Sequence, residues 1–504
     1  MPRRSDAESE ASSEKNATSA ACEGATSSEA KRVALTDREF SFEAAVAFLA
    51  GRTNVELMRP SHVDQKAVFR LDRMRALVQA LGNPQTSFRA VHVAGSKGKG
   101  SVCEMTAAAL AGCRFTVGVF TSPHLVDVRE RIRVGGETIT PGAFARAVGR
   151  VAAAAEGLPA KFGEVTAFEA LTAAAFVHFA QEAVDVAVIE VGMGGEHDAT
   201  NVLVPVVCVL TAIQNEHAQL LGKTKREIAR AKAGIMKPGV PAITLPQTEE
   251  VLTVFREHAA AVGTTVKTIG TEIEFSSRFE SSTDEGPQNR VCLTGKHGSF
   301  EHLTVPLPGE HQSLNCGLAL AVLDVLRGLG LPISDAQVAA GLRGTARNGR
   351  LELIHDQPRI FVDGAHNPES IQGLVKAAGA HIRYDSMVVV FGCAADKDYE
   401  GMLERLADGA DKIFFTRSEG SERSVDPRDL HRKFAEISSR MSQVVPNLKD
   451  AINAASRAVS KGDIVLVTGS FLIAGEAKRL FAQRAARTAQ AEVASRTEVK
   501  PRSA

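Results

Sequence analysis

Two lysines and two serines set among closely spaced glycines, in Val91-His-Val-Ala-Gly-Ser-Lys-Gly-Lys-Gly-Ser101, have the clearest chemical use in this chain. Glycines at 95, 98 and 100 let the backbone turn tightly and aim several N–H groups inward. A short apolar run precedes the turn and a helical pattern follows it. The helix N-terminus therefore adds partial positive charge, Lys99 can reach terminal phosphates, and the Ser101 hydroxyl can meet magnesium. Gly95, Ser96, Lys97, Gly98, Lys99, Gly100 and Ser101 form the candidate phosphate cradle. The spacing departs from G-x-x-x-x-G-K-[ST], because Val93 stands where the first glycine belongs. A plain glycine-rich turn is the alternative. Lysine and serine placed together between strand and helix favour nucleotide phosphate.

Further along, Ala187-Val-Ile-Glu-Val-Gly-Met-Gly-Gly195 puts Glu190 at the end of an apolar run, just before a glycine turn. A carboxylate there is costly unless a cation or donors meet it, and beside a phosphate loop that cation would be Mg²⁺. The next apolar run, Val206–Ile213, ends near His217. Taken alone, His217 is an ordinary loop histidine; with Glu190 and Lys99 delivered to one edge, a ligand or catalytic role follows. Lys232, in a helical stretch of small and apolar neighbours, is by itself an ordinary surface lysine.

These groups need strands to carry them. Strand patterns cover Ala90–Ala94, Val184–Val191, Val206–Ile213, Arg359–Val362, Ser386–Phe391, Lys412–Thr416 and Asp463–Thr468, with helical patterns such as Ser101–Ala111, Ala167–Phe179 and Leu314–Leu326 between them. Such alternation predicts an α/β protein with a mostly parallel sheet. Residues 266–308, with short alternating segments and turn residues, suggest an antiparallel insertion. The polar, glycine-bearing stretch Arg343–Gly349 marks a domain junction. The expected division is a 1–38 disordered extension, a 39–345 nucleotide-binding domain, a smaller 346–483 α/β domain and a 484–504 polar tail.

Composition excludes several classes. With 59 basic and 59 acidic residues, nothing draws the chain to nucleic acid or anionic membrane. No apolar run is long enough to span a bilayer, and the N-terminus has no signal-peptide core. Seven scattered cysteines, none in a C-x-x-C pair, argue against disulfides and zinc and for a reducing cytoplasm.

Several segments together resemble one family. The phosphate loop is similar to the H-V-[AT]-G-T-N-G-K-G-S segment of folylpolyglutamate synthases, members of the Mur ligase superfamily. Thr121-Ser-Pro-His-Leu125 with Arg129-Glu-Arg-Ile132, Thr166-Ala-Phe-Glu169, Glu190 to Asn201, Leu220-Leu-Gly222 and Lys232-Ala-Gly-Ile235 resemble further motifs of that family. So do Gly309-Glu-His-Gln312 with Asn315, Gly349-Arg-Leu-Glu352, Asp363-Gly-Ala-His-Asn-Pro368, Phe391-Gly392 with Asp396-Lys-Asp398, and Thr468-Gly-Ser470. The resemblance runs over roughly residues 40–483. It implies an N-terminal P-loop domain and a C-terminal Rossmann-like domain.

It also implies an ATP-dependent ligase adding glutamate to dihydropteroate or tetrahydrofolate. Asn315, Arg350, Asp363 and His366 would join the phosphate loop in holding ATP. Ser101, Ser122, Glu190 and His217 would hold Mg²⁺. Thr166, Ala167, Phe168, Glu169, His197, Asp198 and Ala199 would line the pteroate site, with Phe69–Leu71 beside them. Lys99 and His217 would be catalytic, as would Lys232 in carbamylated form, and a monovalent cation would be a further ligand. The implied partners are small molecules acting on a cytoplasmic monomer.

Two other readings stay open: a different Mur-type amino-acid ligase, and a catalytically degenerate nucleotide-dependent binding protein. The second draws on Ser96-Lys97, Glu196-His197 and Gln214-Asn-Glu216, where the chain departs from the family pattern. At Glu196, where the family has arginine, compensation by Lys161 or Arg129 is expected.

Overall fold

Short runs of Val, Ile and Ala become strands because they can be buried on both faces of a sheet. The computed structural model describes residues 40–497 apart from 57, 59–63, 65–67, 216–217, 283–285 and 420–422. The expected extension over 1–38 and the side chain of His217 lie outside the described residues.

In chain order the first strands are β1 (Arg89–Ala94), β2 (Val117–Phe120), β3 (Ile132–Val134), β4 (Glu137–Thr138), β5 (Val186–Glu190), β6 (Val207–Leu210), β7 (Ala242–Thr244) and β8 (Val266–Thr268). They form one sheet ordered β4-β3-β2-β5-β1-β6-β7-β8. Along the sheet from β2 to β8 every pairing is parallel, and the β2–β3 and β3–β4 pairings at the edge are antiparallel. Alternate residues of β1 and β5 point to opposite faces. Val91, Val93 and Val188 pack with helices Lys99–Gly112 and Glu310–Gly328. Ala90, Ala187 and Ile189 pack with Phe176 and Phe179 of helix Ala167–Gln181. Truncating a fully buried ring such as Phe176 to alanine costs about 3–5 kcal/mol.

Strands β9 (Glu274–Ser282), β10 (Gly286–Thr294) and β11 (Ser299–Thr304) form a separate antiparallel sheet. The insertion is thus shorter than expected. Val266–Thr268 belongs to the main sheet, parallel to β7, because three residues carry too little pattern to reveal their partner. The strand expected over Val206–Ile213 also ends early, at Leu210. The next residues turn beneath the phosphate loop, where Ala212 accepts from the Ser96 and Lys97 amides at 2.8 and 3.2 Å.

Helix Asp335–Arg343 packs closely on helix Lys99–Gly112. A Cβ on Gly112 would stand 2.7 Å from the Gly341 Cα, so glycine is required there. After it the chain enters a six-stranded sheet ordered β12-β13-β17-β14-β15-β16. The ranges are β12 (Glu352–Asp356), β13 (Arg359–Val362), β14 (Met387–Phe391), β15 (Lys412–Arg417), β16 (Met441–Asn447) and β17 (Ile464–Thr468). Only β12 runs antiparallel. Its helices lie on both faces, around Phe391, Phe415 and Phe434 on one and Phe414 and Ile452 on the other. Helix Phe471–Thr497 continues past the boundary expected at 483. No helix among the described residues is long and apolar enough to cross a membrane.

Candidate active site

Parallel sheets bind ligands outside the carboxyl ends of their strands. Neighbouring strands β5, β1 and β6 bring Glu190, the phosphate loop and the Thr211–Gln214 turn to one such edge. Gly95 has φ +152°, and a side chain there would collide with Thr211. Gly98 has φ +94° and caps the helix that starts at Lys99. A Cβ on it would collide with Asn315, which is buried and donates to Gln312 Oε1 at 3.0 Å. The loop is therefore narrow. The first helical turn offers its amides to an anion, since they have no intrahelical acceptors.

Lys99 folds over this loop, donating to the Gly95 carbonyl at 3.1 Å, and lies 4.0 Å from Glu190 Oε1. Ser101 is 3 % exposed and Glu190 4 %. Burial pushes the Glu190 carboxyl up, while Lys99, the Ser122 amide at 3.0 Å and Arg350 pull it down. Among the described residues no three His, Cys, Asp or Glu side chains converge into a metal cage. A small hard cation shared with phosphate and water oxygens needs only one or two carboxylates. A buried carboxylate between two serines and a helix N-terminus fits that need.

The second sheet contributes the rest. Arg350 reaches the loop from the turn before β12. A Cβ on Gly100 would collide with its guanidinium and stand 3.5 Å from Glu190 Oε2. Asp363, after β13, accepts from the Leu351 and Ala365 amides at 2.8 Å each. Burial pushes its carboxyl up to about 6, with those amides and Arg350 opposing. His366 Nδ1 lies 2.8 Å from the Gly364 carbonyl, and Nε2 lies 2.7 Å from Lys97 Nζ. The ring must then carry its proton on Nδ1 and accept from the lysine at Nε2. Arg350 and His366 of the second sheet thus meet Gly100 and Lys97 of the phosphate loop. Lys232, 3 % exposed, donates to the Gly95 carbonyl at 2.8 Å from behind the loop.

The residues expected around a pteroate are more dispersed. Thr166 and Glu169 form a capping box, with Glu169 Oε2 accepting from the Thr166 amide at 2.8 Å. Glu169 also takes both its oxygens to Arg73 Nε at 2.9 Å. Ala167 is buried, and Phe168 lies against Gly192 of the glycine turn. Phe69 and Leu71 are half-buried beside Arg70, which turns to Asp72 at 2.6 Å. Asp198 is buried and ties the turn together, accepting from the Met193 and Thr200 amides at 2.9 and 3.0 Å. Ala199 is buried, whereas Glu196 and His197 are exposed. The compensation expected for Glu196 is not found in either candidate. Arg129 is bound to Asp127 at 2.6 Å and Lys161 lies over the Phe162 ring at 5.0 Å. Glu196 faces Gly234 and His258 on the outer side.

One group of site-lining residues carries no sequence signal of its own. Glu104, on the phosphate helix, bonds Arg133 and the Asn348 side chain. A glutamate within a helix is ordinarily solvated, so only the fold exposes this contact.

Residues 93–323 match the Mur ligase middle domain, and residues 349–471 match the Mur ligase, glutamate ligase domain. The chain is 34% identical over 414 residues to the dihydrofolate synthase/folylpolyglutamate synthase of Bacillus subtilis, spanning 81% of this chain and 94% of that one. It is 37% identical over 359 residues to the folylpolyglutamate synthase of Lacticaseibacillus casei, spanning 70% and 82%. Among solved structures, Mycobacterium tuberculosis folylpolyglutamate synthase complexed with ADP superposes with a TM-score of 0.76 at 31% identity, over 87% of this chain and 98% of that one. The E. coli FolC complex with DHPP and ADP gives 0.74 at 27% identity, over 88% and 98%.

Proposed function

The chain belongs to the folylpolyglutamate synthase/dihydrofolate synthase family of Mur ligases, ATP-dependent carboxylate–amine ligases, and we propose that it adds L-glutamate both to dihydropteroate and to tetrahydrofolate. The observation that carries this reading is Arg350, from the turn before β12, meeting Gly100 and Glu190 at the phosphate loop of the other sheet.

A carboxylate is a poor electrophile, so its oxygen first attacks the γ-phosphorus of ATP and the bond to the β–γ bridging oxygen breaks. ADP leaves and an acyl phosphate remains. The uncharged amine of glutamate then attacks the acyl carbon, phosphate departs with the former carboxylate oxygen, and the amine gives up a proton. Gly95 to Ser101 hold the phosphates, Lys99 offsets charge on the transferred phosphoryl group, and Arg350 does so from the opposite side. Asn315, Asp363 and His366 orient the nucleotide. Ser101, Ser122, Glu190 and His217 would hold magnesium. Bound there, it supplies a Lewis acid for the phosphate oxygens.

We read Lys232 as carbamylated: its nitrogen is buried against the loop, so an anion built on it lies inside the site. A monovalent cation is a further ligand in the same reading. Thr166 to Glu169, His197, Asp198 and Ala199 are read as the wall of the pteroate pocket, with Phe168 as its apolar face. The two sheets are read as domains dividing near residue 345 and closing over ATP, so that Arg350 completes the site. Free thiols at Cys103, Cys113, Cys208, Cys316 and Cys393 support the cytoplasm.

The test is ADP release by purified protein, with dihydropteroate, tetrahydrofolate and glutamate varied independently. Release that needs glutamate and either folate-side acid supports the reading. Release only with a muramyl precursor, or without any acceptor, overturns it.

A further inference from the structure

Gly100 and Glu104 are four residues apart on the phosphate helix, so they occupy the same face about 6 Å apart. The chain segment that covers this face is the turn at residues 347–351. Arg350 lies over Gly100, and the Asn348 side chain donates to Glu104 Oε1 at 3.0 Å. About two helical turns beyond Glu104, Gly112 receives Gly341 of helix Asp335–Arg343. The helix that binds phosphate is therefore also the frame on which the arginine-bearing turn is mounted.

The turn needs such a frame. Asn348, Gly349 and Leu351 have φ of +39°, +69° and +45°. Left-handed backbone at two non-glycine residues persists only where surrounding contacts impose it. Three contacts do so. Gly349 N–H donates to Glu352 Oε2 at 2.8 Å, Leu351 N–H to Asp363 Oδ2 at 2.8 Å, and Asn348 to Glu104. Arg350 in turn donates to the Asn348 carbonyl at 3.1 Å. Moving Asn348 moves the brace of the guanidinium. Glu104 is 4 % exposed, and Arg133 balances its charge. Neutralising a buried carboxylate requires only that arginine; the bond to Asn348 is additional and reaches across to the second sheet.

We propose that Glu104 is a positioning residue for the reaction: through Asn348 it pins the 347–351 turn to the phosphate helix and fixes Arg350 over Gly100 beside Glu190. This rests on the ligase reading above for the step that Arg350 serves, though not for the coupling itself.

Asn348→Asp tests it, being equal in size and tolerant of left-handed backbone, but placing a carboxylate against Glu104. A bond to a charged group is worth roughly a tenfold effect or more. We expect kcat for glutamate-dependent ADP release to fall about tenfold or more, with KM for the folate-side acid within about twofold. In an Arg350→Ala background the same change should cost less than about twofold, because nothing is left to position. Glu104→Gln combined with Asn348→Asp restores a donor–acceptor pair with its sense reversed, and should recover most of the loss. Asn348→Gly, which keeps the backbone conformation, replaces Asn348→Asp if that protein does not fold. An equal loss in both backgrounds, or no loss in the single variants, overturns the proposal. If the wild-type protein releases no ADP with folate-side acids and glutamate, the ligase reading fails separately. The same cycle is then read from AMPPCP–magnesium affinity by calorimetry, where additive effects overturn the positioning role.

Discussion

Lys97 Nζ and His366 Nε2 meet at 2.7 Å across the cleft between the two sheets. One residue sits in the phosphate loop and the other before the helix Pro368–His381. This contact joins the phosphate loop to the second sheet. Replacing Lys97 with methionine keeps the bulk of the side chain and removes the donor. The ligand-free protein should then open, with a larger radius of gyration in solution scattering. An unchanged radius would show that the contact does not hold the cleft.

Lys99 donates to the Gly95 carbonyl of the loop and lies 4.0 Å from Glu190 at the end of β5, where we propose that it offsets charge on the transferred phosphoryl group. Lys99→Ala should lower kcat by about 10²–10³ while leaving the thermal midpoint within a few degrees. Near-normal turnover in a folded Lys99→Ala protein would remove the loop from the chemistry.

The proposed carbamylation of Lys232 would make activity depend on dissolved carbon dioxide. Lys232→Ala should be nearly inactive and partly rescued by short carboxylic acids that occupy the vacated space. Depleting bicarbonate should reduce wild-type turnover reversibly. Full activity with an unmodified lysine, shown by intact mass under non-acidic conditions, contradicts the assignment.

Acid sensitivity should trace in part to His92, buried in β1 with Nε2 2.8 Å from the Thr200 hydroxyl. Burial pushes this imidazole down from 6.5 to about 3. Above pH 6.5 both folded and unfolded chains keep it neutral. Below that, the unfolded chain takes up a proton that the folded chain refuses until about pH 3, so stability drains across that window. Glu190, Asp198 and Asp363, raised by burial, act in the opposite direction as acid is added. His92→Gln should therefore flatten the fall in melting temperature between pH 7 and 5. An equal slope in both proteins would exclude His92 as a source of the acid sensitivity.

Much of this was legible before any coordinates. Strands such as Arg359–Val362 stood out because both their faces are buried, and Glu190 because a carboxylate ending an apolar run needs an explanation. The edge pairs β3–β4 and β12 did not, since short half-exposed strands resemble turns. The roles of Thr166, Glu169 and Asp198 in capping boxes and turns show a different limit. A polar residue in a motif can hold the site's scaffold rather than its ligand, and spacing alone does not separate the two. Glu104 was hidden for the opposite reason: its partner Asn348 is 244 residues away in the chain, so no local pattern could announce the pair.

On this mechanism the cleft turns a carboxylate into an acyl phosphate and passes it to glutamate. Dihydropteroate labelled with ¹⁸O in its carboxylate tests it most directly. Incubated with ATP, magnesium and glutamate, it should yield the glutamyl amide together with inorganic phosphate carrying one ¹⁸O per amide formed. Unlabelled phosphate, or ADP formed without amide, would contradict the account.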